Sequence, residues 1–268
     1  MTIRDVNQAY GLYTLQLGTI LKTIWNYAFV CKERITMEQV SQMTSFQSES
    51  RQLEGYLARP VGEGPFPGIV VIHEAYGLNE NIKDISRRFA DQGYIALAVD
   101  LSSGRNRAVC MFRVMSSLLL NPLNNRSIHD LKAALTFLSD QTGVDNSKLG
   151  AVGYCMGGSF AIAWACTDER LKAIAPYYAM NPRPLEAVHR LCPVVGSYPG
   201  TDFTTSNGQK LDIELERYQV PHDIKIYPGA KHSFFNDTTR NYHEVAAHNS
   251  WERVLAFFGE HLGVKAEV

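Results

Sequence analysis

The chain has 268 residues, 45% of them hydrophobic and 20% charged, with a formal net charge of -1. This is the balance of an ordinary globular protein, and it excludes the positive field by which nucleic acids or anionic membrane surfaces are bound. Five widely spaced cysteines, an odd number with no C-x-x-C, argue against a disulfide framework and point to a reducing, cytoplasmic setting.

Residues 1–40 open with "MTIRDVNQAYGLYTLQLGTILKTIWNYAFVC", which has no basic stretch leading into a clean apolar core and so does not read as a signal peptide. Gln16, Lys22 and Asn26 make it too polar for a membrane span. Leu12, Leu15, Leu17, Leu21, Ile24 and Phe29 fall roughly at helical spacing, which predicts a helical extension. Such an arm packs on the body or on a second subunit, giving a homo-oligomer; a cap over the active site stays open as the alternative.

Residues 41–268 read as one domain. "VSQMTSFQS" and "QLEGYLARP" predict a hairpin turning around Ser48 to Arg51, and "EGPFPG" is a loop into "GIVVIHE". That last run has too little polar alternation for a strand with a wet face, so it predicts a strand buried on both sides. A helix follows from the capping Asn79 to Gly93, then the buried strand "YIALAVDL". Helical sequence runs from Arg105 to Ser139 with an interruption near Pro122. Beyond it, "KLGAVGY", "LKAIAPYY", "CPVVGSYPG" and "HDIKIYPG" read as strands, separated by the helices "GSFAIAWAC" and "GQKLDIELERYQ" and closed by a helix over Tyr242–Leu262. The alternation predicts an α/β fold with a mostly parallel sheet and helices on both faces.

In such a sheet, ligands sit beyond the carboxyl ends of the strands. Cys155 occupies such an end in "VGYCMGGSF", between a strand and a helix, with Gly153 and Gly157 permitting a tight turn. The helix N-terminus would favour a thiolate. Taken alone, G-x-C-x-G fits a buried structural cysteine as well as a nucleophile. A nucleophile of this kind needs a base and an acid that orients it, and they follow it in chain order as acid, then histidine. Asp202 in "PGTD" and His232 in "AKHSFF" each leave a later strand end, in that order. Glu74 and Ala75 leave the strand "GIVVIHE", where a second oxyanion N–H is expected beside that of Met156.

Taken together, "HEAYGLNENIKDISRRFADQGYIALAVDL", "GYCMGG", "PGTDFT" and "YPGAKHSFFND" resemble the dienelactone hydrolase family of the α/β-hydrolase fold, over roughly residues 44–262. The resemblance implies a Cys–His–Asp triad that opens a small ester or lactone through a thioester, with no cofactor or metal. Cys155 would be the nucleophile, His232 the general base and acid, and Asp202 the orienter. Glu74 would help deprotonate the cysteine when substrate arrives. Family enzymes acting on dienelactone itself hold its carboxylate with arginines, one close after the histidine. Here Ser233, Phe234, Phe235 and Asn236 follow His232 and the next arginine is Arg240. Arg105, Arg107 or Arg113 could supply a cation instead.

Other readings are weaker. "HEVAAH" places His243 and His248 five apart, roughly 140° around a helix, which does not suit a shared zinc. His73 reads as a supporting residue, Asp100 precedes the nucleophile and so breaks the expected order, and Tyr154 and Tyr178 suit either the pocket or the core. Cys31, Cys110, Cys166 and Cys192 read as structural. The rival functions are a non-catalytic small-molecule binding protein on the same fold and a serine esterase, for which Ser159 lies inside the helix rather than at the turn.

Overall fold

The structure, a computed structural model, describes residues 39–49, 51–102 and 107–263. The extension expected over residues 1–40 lies outside them, except that Gln39 and Val40 begin the first strand. Strands β1 (Gln39–Ser48) and β2 (Arg51–Pro60) form the hairpin read from the sequence. Then come β3 (Phe66–Ile72), α1 (Glu80–Ala90), β4 (Ile95–Val99), α2 (Arg107–Leu120) and α3 (Arg126–Ser139). The C-terminal half contains β5 (Val144–Tyr154), α4 (Met156–Ala165), β6 (Leu171–Tyr177), β7 (Val194–Pro199), α5 (Thr205–Arg217), β8 (His222–Tyr227) and α6 (Glu244–Leu262). A 3-10 turn at Leu185–Arg190, which carries no periodic signal, links β6 to β7.

The eight strands lie in the order β1-β2-β4-β3-β5-β6-β7-β8. β2 runs antiparallel to β1 and β4, whereas β3 to β8 are parallel. The central strands are apolar on both faces because both faces are covered. In β3, Val70 and Ile72 belong to one core layer with Leu131, Leu135 and Phe160. Ile69 and Val71 belong to the opposite layer with Ile85, Phe89 and Trp251. Each fully buried aliphatic or aromatic side chain contributes about 1.5–3 kcal/mol, so the two layers hold the sheet rigid beneath its loops. All ten residues of α4 are buried, as expected of a helix apolar all round. No helix among the described residues is long and apolar enough to cross a membrane.

Local signals set the helix ends. The Asn79 side chain accepts the Ile82 N–H at 3.1 Å, and Asn125 accepts those of Ser127 and Ile128. A cap of this kind contributes about 1 kcal/mol. Because β3, β5, β7 and β8 are parallel, their carboxyl ends share one edge of the sheet, and the loops leaving that edge converge.

Candidate active site

The turn after β5 is built around close backbone approach. A Cβ on Gly153 would stand 2.2 Å from the Gly157 carbonyl oxygen, and one on Gly157 would stand 2.3 Å from that of Ile72. Glycine at both positions brings α4 against β3 and leaves Cys155 at the apex with φ +56° and ψ −116°. That is a strained conformation for a residue with a Cβ, costing about 1–3 kcal/mol. It is held from both sides: the Cys155 N–H donates to Tyr177 O at 3.0 Å, and the Cys155 carbonyl accepts the Ser159 N–H at 3.1 Å.

His232 leaves the loop after β8 with Nε2 3.0 Å from Cys155 Sγ and Nδ1 2.5 Å from Asp202 Oδ2. With Nδ1–H donating to the carboxylate, Nε2 presents its lone pair to the thiol, the arrangement a general base requires. Asp202 stands in the loop between β7 and α5, its side chain only 5% exposed. Its Oδ2 also accepts the Thr204 hydroxyl at 2.9 Å, and its N–H donates to Thr205 Oγ1 at 3.1 Å. The His232 ring lies 5.0 Å from that of Tyr178 and stacks at 5.0 Å and 21° on that of Phe203.

Glu74, 4% exposed at the exit of β3, accepts from Asn236 Nδ2 at 2.9 Å through Oε2. Its Oε1 and the Tyr178 hydroxyl are both buried with no hydrogen bond of standard geometry among the described residues, and the two side chains interact with each other. Burial pushes the Cys155 thiol up to about 11; the Glu74 and Asp202 charges add to this, and the Met156 N–H works against it. The resting cysteine is therefore a neutral thiol at neutral pH, with the Met156 N–H directed at its sulfur. Ala75 follows Glu74 and is exposed in a turn closed by the Gly77 N–H to Glu74 O contact at 3.2 Å.

His73 is fully buried, with Nδ1 2.5 Å from Glu74 O and Nε2 accepting the Leu101 N–H at 3.1 Å. It thus ties the exit of β3 to that of β4 instead of facing the thiol. Asp100 would be raised by burial, but its interaction with the nearby His73 ring and hydrogen bonds from Ser102 N–H and Oγ outweigh this and bring it to about 2. Ser159 is buried, donates to Cys155 O and accepts the Met180 N–H, so its hydroxyl is engaged in structure. Tyr154 is fully buried in the aromatic layer beneath the site. Cys166 and Cys192 are each pushed up to about 12 by burial; Cys31 and the side chain of Cys110 lie outside the described residues. His243 caps α6 through the Ala246 N–H, while His248 pairs with Glu252 at 3.1 Å, so the two have different partners. Arg113 and Arg240 are exposed, and Arg105 and the Arg107 side chain lie outside the described residues.

Sequence reasoning did not single out Thr204, Asn236 or the stacked Phe203. All three fall within the quoted "PGTDFT" and "YPGAKHSFFND", but only the folded loops show that Thr204 and Asn236 each hold a carboxylate and that Phe203 lies on the imidazole. A concavity of about 610 Å3 lined by Arg88, Phe235, Tyr242 and Glu252, among others, includes none of Cys155, His232, Asp202 and Glu74.

The profile of the dienelactone hydrolase family matches residues 53–262. A protein of Saccharolobus solfataricus that carries the name carboxymethylenebutenolidase is 35% identical in an alignment 251 residues long that covers 79% of this chain and 95% of that protein. Among solved structures, that of a Klebsiella pneumoniae protein described as a dienelactone hydrolase has a TM-score of 0.74 at 26% identity, covering 83% of this chain and 99% of the other. A dienelactone hydrolase-like promiscuous phosphotriesterase from metagenomic libraries superposes with a TM-score of 0.74 at 25% identity, over 84% and 99% of the two chains.

Proposed function

The chain belongs to the dienelactone hydrolase family and is a hydrolase of the α/β-hydrolase fold; from that premise we propose that it cleaves small activated esters or lactones through Cys155, His232 and Asp202 by way of a thioester. The observation that supports this most directly is the continuous chain from Asp202 Oδ2 through His232 to Cys155 Sγ, at 2.5 and 3.0 Å.

Cys155 rests as a thiol because burial and two carboxylates oppose its ionisation. When substrate enters, the thiol proton passes to a base, Glu74 assisting His232, and the sulfur attacks the acyl carbon. The carbonyl π bond becomes an oxyanion facing the N–H groups of Met156 and Ala75; losing one such donor typically lowers turnover ~10²–10³-fold. His232 Nε2 then protonates the leaving alkoxide as the C–O bond breaks and the thioester remains. In the second half, His232 takes a proton from water, the hydroxide attacks the thioester, and the thiol is regenerated with release of the acid. Asp202 accepts the hydrogen bond from Nδ1–H throughout without taking the proton, holding the ring in the productive tautomer.

The test is hydrolysis of p-nitrophenyl acetate by the wild-type protein, by the protein after thiol alkylation and by Cys155→Ala. Loss in both treated forms supports the cysteine mechanism, and turnover that survives both overturns it. No hydrolysis of any ester or lactone in a broad panel by the wild type would leave the non-catalytic binding protein as the better reading. Since one structural neighbour is described as a phosphotriesterase, a neutral phosphotriester belongs in that panel. The unpaired thiols of Cys155, Cys166 and Cys192 support a cytoplasmic setting.

A further inference from the structure

We propose that Phe203 is a positioning residue of this site: stacked on His232, it holds the imidazole in line with Cys155 and stabilises it when it carries the second proton. The inference rests on the function proposed above. Phe203 is 65% exposed, yet its ring lies nearly parallel to that of His232 at 5.0 Å. The buried side of the imidazole is fixed differently, by Tyr178 at 5.0 Å and 56°, whose own ring packs on Tyr154, Tyr177 and Phe234. Without Phe203 the outer face of His232, whose side chain is 24% exposed, would meet water.

The stack follows from the same turn that fixes the acid. The Thr204 hydroxyl donates to Asp202 Oδ2, Thr205 Oγ1 donates to Pro199 O at 2.8 Å, and Asn207 Nδ2 donates to Phe203 O at 3.3 Å. Phe203 sits between Asp202 and Thr204, so its backbone is held by the same hydrogen bonds that fix the carboxylate. One short loop thus supplies the ring's hydrogen-bond acceptor and its stacking surface. The charged and titratable groups around His232 are Asp202, Cys155, Tyr178 and, acting across the thiol, Glu74. On the outer side, the near-parallel Phe203 face adds attraction to an imidazolium beyond that of the tilted Tyr178 ring on the buried side. It also restricts rotation of the ring, and a misplacement of about 1 Å can lower a rate ~10²-fold.

The experiment compares Phe203→Leu, Phe203→Tyr and Phe203→Trp on acetyl, butyryl and hexanoyl p-nitrophenyl esters, with the rate of iodoacetamide alkylation at Cys155 located by mass spectrometry. The expected result is a fall in kcat of about 10-fold in Phe203→Leu, similar for all three acyl lengths, with KM little changed and the aromatic variants within about 2-fold of wild type. Alkylation of Cys155 in Phe203→Leu slows, because the base is less well aimed, even though the smaller side chain opens access. A loss confined to KM and growing with acyl length would make Phe203 only a pocket wall and overturn the proposal, as would unchanged or faster alkylation. Should the wild type hydrolyse no ester, the alkylation rates still decide the stacking role, while the proposed function fails separately.

Discussion

Replacing Gly157 with alanine separates two effects of opposite sign. Gly157 is the second residue of α4, and in an exposed helix the change would stabilise by up to about 1 kcal/mol through helix propensity. Here the added Cβ would stand 2.3 Å from Ile72 O, 2.7 Å from Ile72 C and 2.7 Å from His73 O, whereas ordinary contact begins at 3.4 Å. All three atoms are backbone, so relief requires α4 and the end of β3 to part by about 1 Å. Overpacking of this kind typically costs about 1–3 kcal/mol, which lowers Tm by roughly 2–4 °C per kcal/mol in a domain this size. The parting also draws Cys155 and the Met156 N–H away from Glu74 and Ala75, so kcat/KM for an activated ester should fall on the order of 10²-fold. Thermal denaturation and ester hydrolysis on the same preparation measure both. A Gly157→Ala protein with unchanged or raised Tm and wild-type turnover would refute the close-approach account of this turn.

Three further outcomes are expected. With the thiol near 11, alkylation at Cys155 should keep accelerating from pH 7 to 10; Glu74→Gln removes a charge that raises the thiol and should speed alkylation at fixed pH while slowing ester turnover. An alkylation rate already flat at pH 8 would contradict the neutral resting thiol. Asp202→Asn should lower kcat on the order of 10³–10⁴-fold with little change in the denaturation curve, and a loss below 10-fold would argue against its orienting role. Asp100, depressed from 3.8 to about 2, favours folding above its unfolded value, a contribution lost as pH falls through about 2. Asp100→Asn should therefore remove about 2 kcal/mol at neutral pH and flatten the acid limb of stability between pH 4 and 2, read as urea midpoints against pH.

Much of the fold is legible in the sequence because its signals are local. The doubly buried "GIVVI", the Asn79 cap and the glycines around Cys155 each act on a few neighbouring residues, and each element forms where they place it. The chain order Cys155, Asp202, His232 could likewise be read, since each residue leaves a strand end and parallel strands put those ends on one edge. The 3-10 turn at Leu185–Arg190 escaped because a single short turn has no period to detect.

The sequence by itself determined the alternation of strands and helices, the tight turn at Cys155 and the residue types available at each strand end, because propensity, periodicity and chain order are properties of neighbours. Only the tertiary structure decided that Asn236 holds Glu74, that Thr204 holds Asp202, that His73 ties two loops together and that Phe203 covers the imidazole. It also decided the protonation of the thiol. That depends on how deeply Cys155 is buried and how near two carboxylates from other loops approach it, distances that exist only once the strands have paired.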